Sequence, residues 1–186
     1  METTEITELV DSARLFSGFS SAEEKLLEEV GPEVIPHLSR VTDEFYKALS
    51  VVPKAQQFLD GRTEKLKTTH TNWLEYVFRG PYDDKYAAAM YEVGHVHFQV
   101  KLPLEFMEGG MTLILGALTP VIAESCGDDM QRFTRILCAI NAALGFSLII
   151  MQKSYQLSTL EGELDNFLQV TGMSRKLFDK LSQTNL

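Results

Sequence analysis

One stretch limits the fold more than any other. From Asp128-Asp129, which reads as a helix cap, the chain can run as a single helix to about Val170, where Thr171-Gly172 breaks it. At 1.5 Å per residue that is roughly 60 Å, longer than a compact domain of 186 residues needs. Its second half, QLSTLEGELDNFLQV, is therefore expected to project from the body. Its first half contains ILCAINAALGFSLIIM, residues 136–151, apolar nearly all round and hence buried on two sides. That run is shorter than the roughly 20 residues of a membrane span, and Asn141 lies inside it. A chain organised around such a helix is all-α, and nothing in the remainder reads convincingly as strand.

The other helices follow from glycine and proline punctuation. A short opening helix is expected over residues 5–16. Ser21 with Glu24 forms a candidate capping box for a second helix that stops near Gly31. Pro32 suits the start of the next, whose apolar stripe is Leu38, Val41, Phe45 and Leu49, with Tyr46 beside it. VVPKAQQFLD reads as a short helix or turn around Pro53. Pro103 opens a helix reaching about Gly127, in which Pro120 is expected to kink the chain. Gly109-Gly110 in that helix marks an expected close approach of a neighbour or ligand. SRKLFDKLSQ is a last short helix.

Charge and cysteine usage exclude several function classes. A net charge of -9 works against nucleic acid or an anionic membrane as partner. The N-terminus METTEITELVDSARL lacks the pattern of a secretion signal. Cys126 and Cys138 lack CxxC spacing and are expected to be buried small hydrophobes in a reducing, cytoplasmic compartment. No Gly-rich phosphate loop, nucleophile elbow or HExxH is present, which removes the common hydrolase, kinase and nucleotide-binding readings.

The chemistry-bearing stretch is Leu66 to Val100, two amphipathic helices broken at Gly80-Pro81, each with a histidine on its apolar face. The first stripe is Leu66, Thr69/His70, Trp73, Val77; the second is Tyr86, Met90, Val93, His97, Val100. His95 and His97 lie on opposite sides of their helix and cannot share a metal. Paired Glu-x-x-His motifs for a di-iron site are absent. On pattern alone His97 fits either a hydrogen-bonded core histidine or the axial ligand of a haem.

The stretch LKTTHTNWLEYVFRGPYDDKYAAAMYEVGHVHFQVKLPLEFM, residues 66–107, resembles the haem-binding core of the globin-coupled sensors and their protoglobin relatives. The matching pieces are the turn at Gly80–Asp84, the V-G-x-V-H ending at His97, and the L-P-x-x-F of Leu102–Phe106. Phe45-Tyr46 matches the family's distal tyrosine site, and the likeness spans about residues 15–165. The resemblance implies His97 as proximal ligand to haem iron, Tyr46 as distal hydrogen-bond donor to a bound gas, and Thr69 as a distal threonine. His70, where many members have a non-ligating residue, is expected to close the sixth iron position, to hydrogen-bond Tyr46 or the gas, or to swing out to solvent. Met107 stands where a proximal tyrosine is common and cannot donate to His97. The implied haem b site comprises Tyr46, Leu66, Thr69, His70, Trp73, Val93, His97, Phe106 and Met107.

The expected fold is a globin-like α-helical sandwich with an extra N-terminal helix and a long final helix. Residues 1–158 are expected to form the haem domain, and 159–186 to lead to an output module or a separate partner. The apolar helices 103–126 and 128–158 are consistent with the family's homodimeric bundle. The implied function is a haem-based sensor of oxygen, nitric oxide, carbon monoxide or redox state, with no catalysis expected in this chain. The alternatives are a haem enzyme or electron carrier, in the manner of a nitric oxide dioxygenase or peroxidase, and a haem-free interaction module.

Overall fold

The computed structural model describes residues 3–182, with side chains from Ile6 onward. The ends of the two expected segments, residues 1–2 and 183–186, lie outside the described residues. Nine α-helices form among those described, and no strand. They are α1 (Thr3–Ser17), α2 (Ser21–Val34), α3 (Leu38–Ser50), α4 (Gln56–Leu59), α5 (Thr63–Arg79), α6 (Asp84–Gln99), α7 (Leu104–Cys126), α8 (Met130–Thr171) and α9 (Arg175–Ser182). Short 3-10 turns at Ile35–His37 and Pro53–Ala55 lead into α3 and α4.

The long helix is the hub. α1, α2, α6 and α7 all pack against α8, while α3 packs against α5 and α7, and α2 against α5. Asp129 starts α8 by accepting a hydrogen bond from Arg132 N at 2.9 Å, and Gly172 ends it in the left-handed region with φ 67°. Ile136, Ala139, Ile140, Ala143, Phe146, Ser147 and Ile150 are buried along it, so its apolar half is enclosed by neighbours on more than one side. By length and composition α7 and α8 could each cross a membrane, with mean hydropathy 1.5 and 1.8 over their most apolar windows. Here 28% and 50% of those windows are buried inside the helical stack.

Four expectations are corrected. The capping box is Ser20 with Glu23, one residue earlier than expected from the sequence. Glu23 Oε2 accepts from Ser20 N at 2.9 Å, and Ser20 Oγ accepts from Ala22 N at 3.1 Å. Glu24 instead reaches across to Tyr82 N at 3.1 Å and to Arg14 at 3.6 Å, pinning the turn between α5 and α6. α2 then runs through Gly31 and Pro32 to Val34, because Pro32 sits on the exposed face, where water can take the carbonyl it leaves free. No close approach occurs at Gly109, and at Gly110 only the Phe45 ring lies at ordinary contact, 3.9 Å. Lastly, Cys126 is buried but Cys138 is exposed, on a strip of α8 beside the exposed Asn141.

The close approaches are at two other glycines. A Cβ at Gly31 would stand 2.9 Å from the Phe78 carbonyl, where α2 crosses α5. A Cβ at Gly94 would stand 2.1 Å from the Met151 carbonyl, where α6 crosses α8. Backbone cannot yield as a flexible side chain does. Gly94→Ala is therefore expected to destabilise the protein by about 2–3 kcal/mol, a fall of roughly 5–10 °C in melting temperature. A melt that moves by less than about 1 °C would refute the crossing as drawn.

Candidate functional site

α5 and α6 are consecutive in sequence but share little contact. α5 spends Leu74, Val77 and Phe78 on α2 and α3, and α6 spends Ala87 and Gly94 on α8. The two meet at the turn between them, where Gly80-Pro81 is a cis peptide and Asp83 caps α6 by accepting from Lys85 N and Tyr86 N. There Tyr76 stacks on Tyr86 with ring centroids 5.2 Å apart. Trp73 Nε1 donates to Tyr86 Oη at 3.2 Å, and Tyr86 Oη lies 2.6 Å from Ser147 Oγ. Because Ser147 gives its own proton to the Ala143 carbonyl at 2.8 Å, Tyr86 must be the donor to Ser147. Beyond this stitch the helices make no extended contact among the described residues, and the space between them, the candidate slot, has His70 on the α5 side and His97 on the α6 side.

His70 is held at its Nδ1, which lies 3.0 Å from the Leu66 carbonyl and 2.8 Å from Tyr46 Oη. A carbonyl only accepts, so the Leu66 bond puts the proton on Nδ1 and leaves the lone pair on Nε2. Tyr46 is 4% exposed and packs edge-on to His70, with Phe45 between them and α7. Burial pushes the Tyr46 phenol well above its usual range, so it stays protonated and keeps an O–H to give.

His97 is set differently. Its Nδ1 is buried and has no hydrogen-bond partner among the described residues. Burial, and then the nearby His70 charge, lower its pKa from 6.5 to about 4. His70 is lowered by burial too, against the opposing Leu66 carbonyl bond. Both imidazoles are therefore neutral at pH 7, and His70 is near enough to His97 to influence it.

The remaining expected residues divide. Leu66, Trp73 and Val93 are half-buried within a turn of the two histidines. Trp73 sits edge-on to His70, 6.4 Å between centroids. Phe106 meets Phe58 of α4 at 6.0 Å, and Met107 is 5% exposed. Thr69 is not brought in. It is exposed, with its hydroxyl on the Lys65 carbonyl at 3.0 Å, because position 69 falls one residue off the face that carries 66, 70 and 73. Val100, the last residue of the second stripe, is 44% exposed where α6 ends. Sequence reasoning missed Phe45 as a neighbour of His70, Phe58 as a neighbour of Phe106, and Tyr86 as the partner of Trp73. The first was visible as an apolar residue at one-turn spacing, but nothing local signals the pairing of Phe58 or Tyr86.

As a donor set, two neutral imidazoles across a slot walled by apolar and aromatic side chains suit the axial positions of a haem. A bare metal ion is served less well, since the described residues contain no group of three or more His, Cys, Asp or Glu. A family model described as Protoglobin matches residues 7–161. The chain belongs to the protoglobin family.

Solved relatives agree in fold. This protoglobin superposes on the globin domain of a Geobacter sulfurreducens globin-coupled sensor with a TM-score of 0.71 and 26% identity, covering 78% of this chain and 97% of that one. It superposes on the ferrous form of the globin domain of E. coli DosC with a TM-score of 0.63 and 21% identity, covering 81% and 97%. In sequence it is 23% identical over 128 residues to the diguanylate cyclase DosC of Escherichia coli K12, and the match takes in 67% of this chain and 28% of that enzyme. In Shigella flexneri the corresponding share of the cyclase is 33%.

The lowered pKa of His97 makes a stability statement. A histidine that titrates near 4 when folded and near 6.5 when unfolded holds its proton more tightly unfolded. Its contribution is complete above about pH 6.5 and is lost as pH falls towards 4. Urea unfolding of the haem-free protein at pH 7 and pH 4.5 is expected to show a loss that shrinks by up to about 3 kcal/mol in His97→Leu. An identical pH dependence in variant and parent would remove His97 from this account.

Proposed function

We propose that this protoglobin is a haem-based sensor of a diatomic gas. The observation that carries this reading is the pair of neutral imidazoles, His70 and His97, on the two sides of the candidate slot, with Tyr46 hydrogen-bonded to the first. When bound there, haem b supplies an iron able to take oxygen, nitric oxide or carbon monoxide. His97 is the proximal ligand, since its neutral ring has no competing hydrogen bond. His70, with its proton on Nδ1, would offer Nε2 to the same iron from the α5 side. Tyr46 would keep an O–H to give to a bound gas, and Phe45, Leu66, Trp73, Val93, Phe106 and Met107 would keep water out. With no hydrogen-bond partner at Nδ1 among the described residues, His97 would bring less imidazolate character to the iron than a hydrogen-bonded ligand.

The Geobacter relative is the globin domain of a globin-coupled sensor, and that likeness supports the same role. We place the sensor in residues 1–158 and the route to an output module or separate partner in 159–186. The unpaired Cys126 and Cys138 suit a reducing, cytoplasmic compartment. A homodimer through α7 and α8 is supported by an open groove of about 450 Å³, whose lining includes Phe16, Met111, Leu115, Leu148 and Ile149. Leu15 and Phe16 beside it are each 84% exposed.

Reconstitution with haem tests the site. Wild type is expected to give a Soret band and six-coordinate ferrous spectra; His70→Ala gives five-coordinate ferrous spectra, and His97→Ala loses most haem on gel filtration. Failure of any Soret band to form would sink the reading, and unchanged spectra in His70→Ala would strike His70 from the ligands. Sedimentation is expected to show a dimer that Ile149→Asp converts to monomer; a monomeric parent would refute the dimer.

A further inference from the structure

The two walls of the slot are not equally connected to the long helix. α5 rests on α2 and α3, whereas α6 is packed along α8 over most of its length. The α6 residues Gly94, His95 and Phe98 make three successive attachments to α8. Gly94 lies on the Met151 carbonyl, as described. One turn on, Gln99 Nε2 donates to His95 Nε2 at 2.8 Å, which fixes the His95 proton on Nδ1, and Nδ1 donates to Ser158 Oγ at 2.9 Å. Last, Phe98 reaches Gly162, where an added Cβ would stand 3.3 Å from its ring.

Beyond Gly162 the helix runs on to Thr171, about 13 Å at 1.5 Å per residue, with only Leu168 buried. Ser158 and Gly162 are thus the last places where the sensor body grips the projecting end. His95 and Phe98 bracket His97 on the same rigid helix, so a displacement of His97 is carried to both.

We infer that the His95–Ser158 hydrogen bond is a coupling contact, through which a change at His97 alters the order of α8 beyond Ser158. This rests on the haem reading above and assigns the route to the proximal helix rather than to the His70 helix. His95 and Ser158 are positioning residues that touch neither cofactor nor gas.

Hydrogen exchange on the full haem-loaded chain, with and without carbon monoxide, tests the coupling. In wild type, carbon monoxide is expected to change exchange of the backbone amides of 159–171 by roughly two- to tenfold, the range one hydrogen bond spans. Ser158→Ala is expected to lose that response with its Soret spectrum intact, and Ser158→Thr, which restores a hydroxyl, to regain it. A response in Ser158→Ala equal to wild type overturns the coupling. So does a wild type that binds carbon monoxide spectrally with no change in 159–171, and the haem reading then stands. Absence of any Soret band overturns both.

Discussion

The contact between the backbones of α6 and α8 at Gly94 is the constraint from which the site follows. With no Cβ at that position, α6 lies close enough to α8 to bury Ala87 and Gly94 on one side. A helix committed so closely on one face has little freedom to turn the other. Val93 and His97 fall on the adjoining face, with His97 towards His70 of α5, while Tyr86 reaches both Trp73 of α5 and Ser147 of α8. α5 is itself committed to α2 and α3 through Leu74, Val77 and Phe78. Two consecutive helices that each satisfy their packing elsewhere leave a gap between them, and the residues facing it were not chosen to pack against each other.

The electrostatics follow from that gap being apolar. Neither histidine meets a carboxylate within the slot, so desolvation dominates and both rings stay neutral. Their local supports differ. His70 is fixed by two oxygen partners, while the buried Nδ1 of His97 has none among the described residues. An unpaired buried polar nitrogen costs about 1–3 kcal/mol, so His97 is the less well satisfied of the two rings.

The helical periods made most of the architecture readable. The uninterrupted span after Asp129 and the break at Gly80-Pro81 fold as their spacing implies, and so do the two histidine stripes apart from Thr69 and Val100, because these are signals within one segment. What was not legible depends on partners distant in sequence. Glu24 matches a capping box locally yet is drawn to Tyr82 N, 58 residues away. Gly109-Gly110 looked like the close approach, but a glycine shows only that contact is permitted, and the crossing helices select Gly31 and Gly94 instead. Thr69 and His70 were read from one stripe, yet a single residue's rotation separates an exposed hydroxyl from a buried ring. His70 Nδ1 lies 2.8 Å from Tyr46 Oη, a pairing that no local spacing encodes.

The polar stitch at the narrow end of the slot has a practical consequence. Trp73 is the chain's single tryptophan, and its indole N–H is tied to Tyr86, which in turn is tied through Ser147 to the long helix. Its ring is consequently fixed within 6.4 Å of His70, centroid to centroid. All indole fluorescence of the protein therefore originates from one anchored ring at the slot wall. Nature has left the molecule a built-in optical gauge, whose emission is extinguished when a strongly absorbing macrocycle fills the space beside it.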